Sequence, residues 1–153
     1  MSDNTPEASQ TVTPYLFYED VGGALTWLGR VFGLVEREVE TMKNEEGKVV
    51  HTAMLIGNGS IMMGCPSADY KNPKKLGQAT QQLYVYVDAV DQHFKNAKAE
   101  GATILSELED TFYGDRRYGV EDLEGHNWYF AEKVREIKPE DWKPSAEDLS
   151  GHG

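Results

Sequence analysis

Few side chains in this sequence are of a kind to do chemistry, and they are scattered. His51, in "KVVHTAM", titrates near neutrality when unperturbed and so suits a general acid or base. A lone strand histidine more often serves structure, and the alternation with Val50 and Thr52 leaves its direction open. Cys65, in "MMGCP", follows an apolar strand with no base near it in sequence, which reads as an inert packed thiol. Arg116 and Arg117, in "YGDRRYGVED", face opposite ways if the segment is extended, so at most one enters a cleft. Asp115, Glu121 and Asp122 lie close enough in sequence to favour ion pairing, while a cleft arginine could instead grip a ligand carboxylate bidentately. Finally "EDLEGHNWYFAE" reads as a tight turn feeding a half-buried strand. The question is whether that strand offers a metal-binding carboxylate or only the phenol of Tyr129.

The elements that must position these groups come in two copies. "TVTPYLFYEDV" ends its strand at Asp20, and the helical stretch "GGALTWLGRVFG" closes at Gly33, thirteen residues on. "QQLYVYVDAV" runs to Asp88 and "DQHFKNAKAEG" closes at Gly101, again after thirteen, so the unit repeats with an offset of 68. Leu25, Leu28 and Phe32 in the first helix, and Val90, Phe94 and Ala97 in the second, form stripes that must pack on a sheet. The acidic residue before each helix suits an N-cap, and the glycine after it a left-handed C-terminal cap. Three strand-like runs follow each helix: "LVEREVETM", "VVHTAMLIG" and "SIMMG", then "ATILSELED", "RRYGVED" and "NWYFAE". The turns "NEEGK", "GNG" and "DLEG" place glycine where φ can be positive. The expected class is α+β, two βαβββ modules over residues 12–65 and 80–135, with 66–79 as linker. Residues 1–11 and 136–153 read as a flexible start and a mobile tail, apart from docking of Trp142. His152 in that tail lacks fixed co-ligands for a metal.

Bulk properties narrow the function classes. The 153 residues suffice for one core, and 39% hydrophobic with 27% charged residues fits a globular chain. A net charge of −11 without a basic cluster argues against a nucleic-acid surface. A single cysteine excludes an intrachain disulfide framework and a multi-cysteine zinc site and fits a reducing compartment. "MSDNTPEASQT" has neither a basic nor an apolar leader region, and no later run reaches membrane-spanning length. A cytoplasmic location without membrane or nucleic-acid partners is the expectation.

The double pattern resembles the vicinal oxygen chelate superfamily, which includes glyoxalase I, extradiol dioxygenases and bleomycin-resistance proteins. "PYLFYEDVGGALTWLGRVFGL", "LYVYVDAVDQHFKNAKAEGA" and "YGDRRYGVEDLEGHNWYF" look like a small glyoxalase-like branch with antibiotic-binding members. The resemblance implies a curled mixed sheet around a cleft and commonly a homodimer, sometimes with strand exchange. In metal-dependent members each half supplies two ligands, one from its first strand and one from its last. Those positions fall here on Thr13, Met62, Gln82 and Tyr129, which offer neither imidazole nor carboxylate. The turn is Asp-Leu-Glu-Gly where the family usually has Asp-Pro. A slip of one residue would bring His126, Trp128 and Phe130 inward instead, leaving His51, His126 and Glu132 as the best metal set.

In the family register, Thr13, Tyr15, Phe17, Met62, Gln82, Tyr84, Tyr86, Asn127, Tyr129 and Ala131 line the concave face. Such a lining stacks and orients a small aromatic or amphipathic ligand and holds no strong general base; as a rival reading, it merely fills a closed core. The expected function is metal-free and cofactor-free binding of such a molecule, antibiotic sequestration being one form of it. Tyr15, Phe17, Met62, Gln82, Tyr84, Tyr86, Asn127 and Tyr129 would be the binding residues. The rivals are a metal-dependent lyase, isomerase or dioxygenase, and a metal-free acid/base enzyme with His51 catalytic.

Overall fold

The computed structural model describes residues 10–151; most of the expected flexible start, residues 1–9, and His152 of the tail lie outside the described residues. The chain divides into two units, one ending at Leu76 and one beginning at Gly77, each an α+β unit with its own sheet.

In the first unit β1 (Tyr15–Phe17) leads into α1 (Val21–Phe32). Asp20 caps that helix by accepting from the Gly23 amide, and Gly33 ends it at φ 78°, with the Leu34 amide reaching back to the Leu28 carbonyl. The helix buries Val21, Ala24, Leu28, Val31 and Phe32. The expected strand "LVEREVETM" is broken: β2 (Val35–Glu36) and β3 (Met42–Lys43) flank a 3₁₀ turn at Glu38–Glu40. Four of its residues are glutamate or arginine that gain nothing from a buried ladder, so the chain leaves the sheet between them. Then come β4 (Val49–Ile56) and β5 (Gly59–Gly64), giving the order β1-β5-β4-β2 with β3 also on β4 and with β1 parallel to β5. The short α2 (Pro73–Leu76) lies in the expected linker, tied to Glu19, whose carboxylate takes the Asn72 amide and the Lys75 ammonium.

The second unit repeats the plan with β6 (Gln82–Tyr86), α3 (Val90–Ala99), β7 (Thr103–Asp110), β8 (Asp115–Glu121) and β9 (Asn127–Lys133), in the order β6-β9-β8-β7 with β6 parallel to β9. Here one expected cap is replaced. Asp88 is not the N-cap; Ala89 is, without a side-chain bond, and the Glu132 carboxylate accepts the Val90 amide instead. Val85, Tyr118, Val120, Trp128 and Phe130 share the face turned to α3, the last four fully buried. Residues 136–151 form two 3₁₀ turns, and the Trp142 ring stands 5.2 Å from that of Phe112.

Candidate functional site

The face of the second sheet opposite α3 is built by register. Pairing Gln82, Tyr84 and Tyr86 with Asn127, Tyr129 and Ala131 sets all six on one side, joined from β8 by Asp115, Arg117 and Gly119. The turn before β9 fixes that register. Buried Asp122 accepts the amides of Glu124 and His126 with one oxygen and the indole N–H of Trp128 with the other, while Gly125 takes φ 99°. Trp128 is thereby locked toward α3, and its neighbour Tyr129 must face the other way.

Asp115 is the centre of this face. It is 0% exposed, and its Oδ2 accepts the hydroxyls of Tyr86 at 2.7 Å and Tyr84 at 2.8 Å. Its Oδ1 has no hydrogen bond among the described residues, the Lys133 ammonium standing 3.7 Å away. The expected lining leaves this residue out: a buried carboxylate lies beneath its tyrosines. Desolvation, reinforced by the Asp115 bond, pushes the Tyr86 phenol up to about 12. Desolvation, then the bonds to Tyr113 and Asp115, pushes Tyr84 higher still, so both phenols are protonated donors at neutral pH.

Arg117 is held above the rings. Its guanidinium carbon lies 4.6 Å from the Tyr129 ring centre, Nε donates to Glu109 at 3.0 Å, and Nη1 donates to the Tyr113 hydroxyl at 3.1 Å. Tyr84 and Tyr129 are nearly parallel, 6.1 Å apart at 21°. Gly119 makes room: a Cβ there would meet Ser106 Oγ at 2.7 Å and the Tyr129 ring at 3.1 Å. Beside the rings opens a cavity of about 760 Å³, walled by Phe112, Tyr113, Arg117, Tyr129 and Ser106, with Glu109, Asp110, Glu147 and Asp148 around it. Arg116, on the opposite face, is spent on Asp110 and Asp91.

In the first unit Tyr15, Phe17 and Met62 share a face with His51, whose Nδ1 lies 2.9 Å from the Tyr15 hydroxyl. Phe17 packs edge-on to Tyr15 and to Tyr70. Thr13 precedes β1. Cys65 is exposed rather than packed, its thiol bonding the Ser67 carbonyl, because it lies one residue beyond the end of β5.

The donor set does not fit a divalent ion. Thr13 and Met62 in one unit, and Gln82 and Tyr129 in the other, supply neither carboxylate nor imidazole. Of the displaced set, Glu132 is committed to the N-terminus of α3. Among the described residues no three of His, Cys, Asp or Glu gather as metal ligands.

Sequence reasoning placed Gln82, Tyr84, Tyr86, Asn127 and Tyr129 on one strand face, and the register brings them together. It misses Asp115 and Tyr113 as members of the site and favours an ion-paired structural role for Arg117 over a cleft one. The signal was "YGDRRYG": in an extended β8, Asp115, Arg117 and Gly119 alternate onto one face.

Known proteins share this architecture. The model of the Glyoxalase/Bleomycin resistance protein/Dioxygenase superfamily matches residues 10–130. An uncharacterised protein of Mycobacterium bovis is 30% identical over 132 residues, covering 82% of this chain and 85% of its own. The crystal structure of TioX from a Micromonospora species is similar at TM-score 0.66 and 32% identity, covering 82% of this chain and all (100%) of that one. The fosfomycin resistance protein FosX of Listeria monocytogenes shares the fold at TM-score 0.60 and 14% identity, over 89% of this chain and 99% of that one.

Proposed function

The chain belongs to the Glyoxalase/Bleomycin resistance protein/Dioxygenase superfamily, and on that scaffold we propose that it binds a small aromatic or amphipathic molecule without a metal. The observation that carries this reading is the Tyr129 ring, stacked on Tyr84 and covered by Arg117, which lines a cavity of about 760 Å³; Gln82, Tyr84, Tyr86 and Asn127 share its sheet face but do not line that cavity. That volume lies within the range of small-molecule pockets, and ring faces with a few fixed polar groups are what such a ligand needs. The donor chemistry of Thr13, Met62, Gln82 and Tyr129 supports a metal-free site. Sequestration of an antibiotic is one form such binding takes. A thermal-shift panel of aromatic metabolites and antibiotics tests it, since a ligand of the native state raises its melting temperature. No stabilising compound on the Tyr84–Tyr129 face would sink the reading.

A second reading, acid/base catalysis on a bound carbonyl compound, has one observation in its favour, the Tyr15–His51 hydrogen bond. Proton exchange from a carbonyl substrate that vanishes in His51→Gln would establish it. Tyr15, Phe17, Val35, Met42 and Leu55 are exposed apolar residues of the first unit, which supports a homodimer, tested by sedimentation at micromolar concentration. The exposed lone thiol of Cys65 agrees with a cytoplasmic setting. No helix among the described residues is long and apolar enough to cross a membrane.

A further inference from the structure

We propose that the cavity of the second unit takes a planar aromatic compound carrying a protonated amine, a ligand class that rests on the binding reading above. The argument is the direction of the hydrogen bonds. Tyr84 has one proton and gives it to Asp115, so in its 3.1 Å contact with Tyr113 the proton belongs to Tyr113. Tyr113 in turn accepts from Arg117. The chain of bonds therefore runs one way, from Arg117 through Tyr113 and Tyr84 to the buried carboxylate. Tyr113, which lines the cavity, is left with a lone pair and no proton to offer.

The charges around the cavity point the same way. Among the described lining residues Glu109, Asp110, Glu147 and Asp148 stand against one cation, Arg117, which is already bonded to Glu109 and Tyr113, while Asp110 is paired with Arg116 from the opposite face. Bonds from the Ser145 amide and hydroxyl hold Asp148 below the usual carboxylate range, with Arg117 adding to the effect, so it is ionised at neutral pH. The Ser106 hydroxyl, buried in the wall, has no hydrogen-bond partner among the described residues. A ligand carboxylate would find as donors only the Ser106 hydroxyl and an Arg117 already bonded to Glu109 and Tyr113, against four carboxylates, whereas an ammonium meets those carboxylates, the Tyr113 and Ser106 lone pairs and the ring faces of Tyr129 and Phe112.

Three probes that share one ring decide the matter: tryptamine, 3-ethylindole and indole-3-acetate, each titrated calorimetrically into the full chain at pH 7. Tryptamine is expected to bind at least about tenfold more tightly than either of the others, the scale of one hydrogen bond to a charged group. In Tyr113→Phe the ratio of amine to neutral affinity should fall severalfold, with the melting curve checking that the variant folds. Equal or tighter binding of 3-ethylindole or indole-3-acetate overturns the ligand class and leaves the aromatic-binding reading standing. If none of the three binds, and no compound of the thermal panel does, that reading falls and the ligand class with it. A folded Tyr113→Phe protein that keeps the full ratio also overturns the proposal.

Discussion

Tyr129→Leu separates a binding ring from a core ring. Tyr129 is half-buried, its ring 6.1 Å from Tyr84 and 4.6 Å from the Arg117 guanidinium, on the face opposite α3. Leucine keeps an apolar side chain of moderate size and removes the π surface. The loss is one aromatic pair, about 1 kcal/mol, and one partly exposed cation–π contact, about 0.5–1 kcal/mol. Arg117 keeps Glu109 and Tyr113, so no buried charge is stranded. The expected destabilisation is therefore about 1–2 kcal/mol, which for a chain of this size lowers the melting temperature by about 2–8 °C. An aromatic ligand stacked there loses on the order of 1 kcal/mol, a severalfold weakening. Chemical denaturation and a ligand titration on the same sample measure both. Destabilisation above about 4 kcal/mol would mean that Tyr129 belongs to the core, and unaltered ligand affinity would remove it from the site.

The same geometry sets further outcomes. Asp122→Ala removes the carboxylate that accepts the buried Trp128 indole and two turn amides, so about 3–5 kcal/mol of stability should disappear by urea unfolding. In a Trp128→Phe background the same change should cost about 1–3 kcal/mol less, and equal costs in both backgrounds would contradict the indole's role. Tyr86, raised to about 12 by desolvation and Asp115, contributes stability that is whole below the unfolded phenol value near pH 10 and is lost as pH rises toward 12. Ultraviolet titration should show this late phenol, and Asp115→Asn should bring it earlier. Asp110, lowered by Arg116, contributes stability that is present above about pH 4 and is lost as pH falls through its depressed folded value. Arg116→Ala should flatten that acid limb in a pH-melting series, and an unchanged limb would refute the pairing.

What was legible in the sequence was what depends on period and spacing. The alternation of Tyr84 and Tyr86 with Leu83 and Val85, and the repeat from Asp20–Gly33 to Asp88–Gly101, are local patterns, and they yield the helices, the strands and the tyrosine face. What depends on which strand lies beside which was not. Asp115 and Tyr86 are far apart in sequence and meet because β9 lies between β6 and β8, a pairing order no local pattern encodes. The Glu132 cap on α3 was hidden for the same reason, since Asp88 was the local choice and Glu132 arrives from β9. The break in "LVEREVETM" was visible as charge, yet alternation alone read it as one strand.

The central claim is that the tyrosine face of the second unit binds an aromatic ligand and needs no metal to do so. The most direct test is a two-dimensional NMR titration of the isotope-labelled full chain after dialysis against chelator, using whichever of tryptamine, 3-ethylindole and indole-3-acetate binds. The account predicts saturable shifts of the amides of Ser106, Tyr113, Arg117 and Tyr129 with no metal added. Shifts confined to the surroundings of His51, or shifts that arise only once zinc, nickel, manganese or iron is supplied, would contradict it.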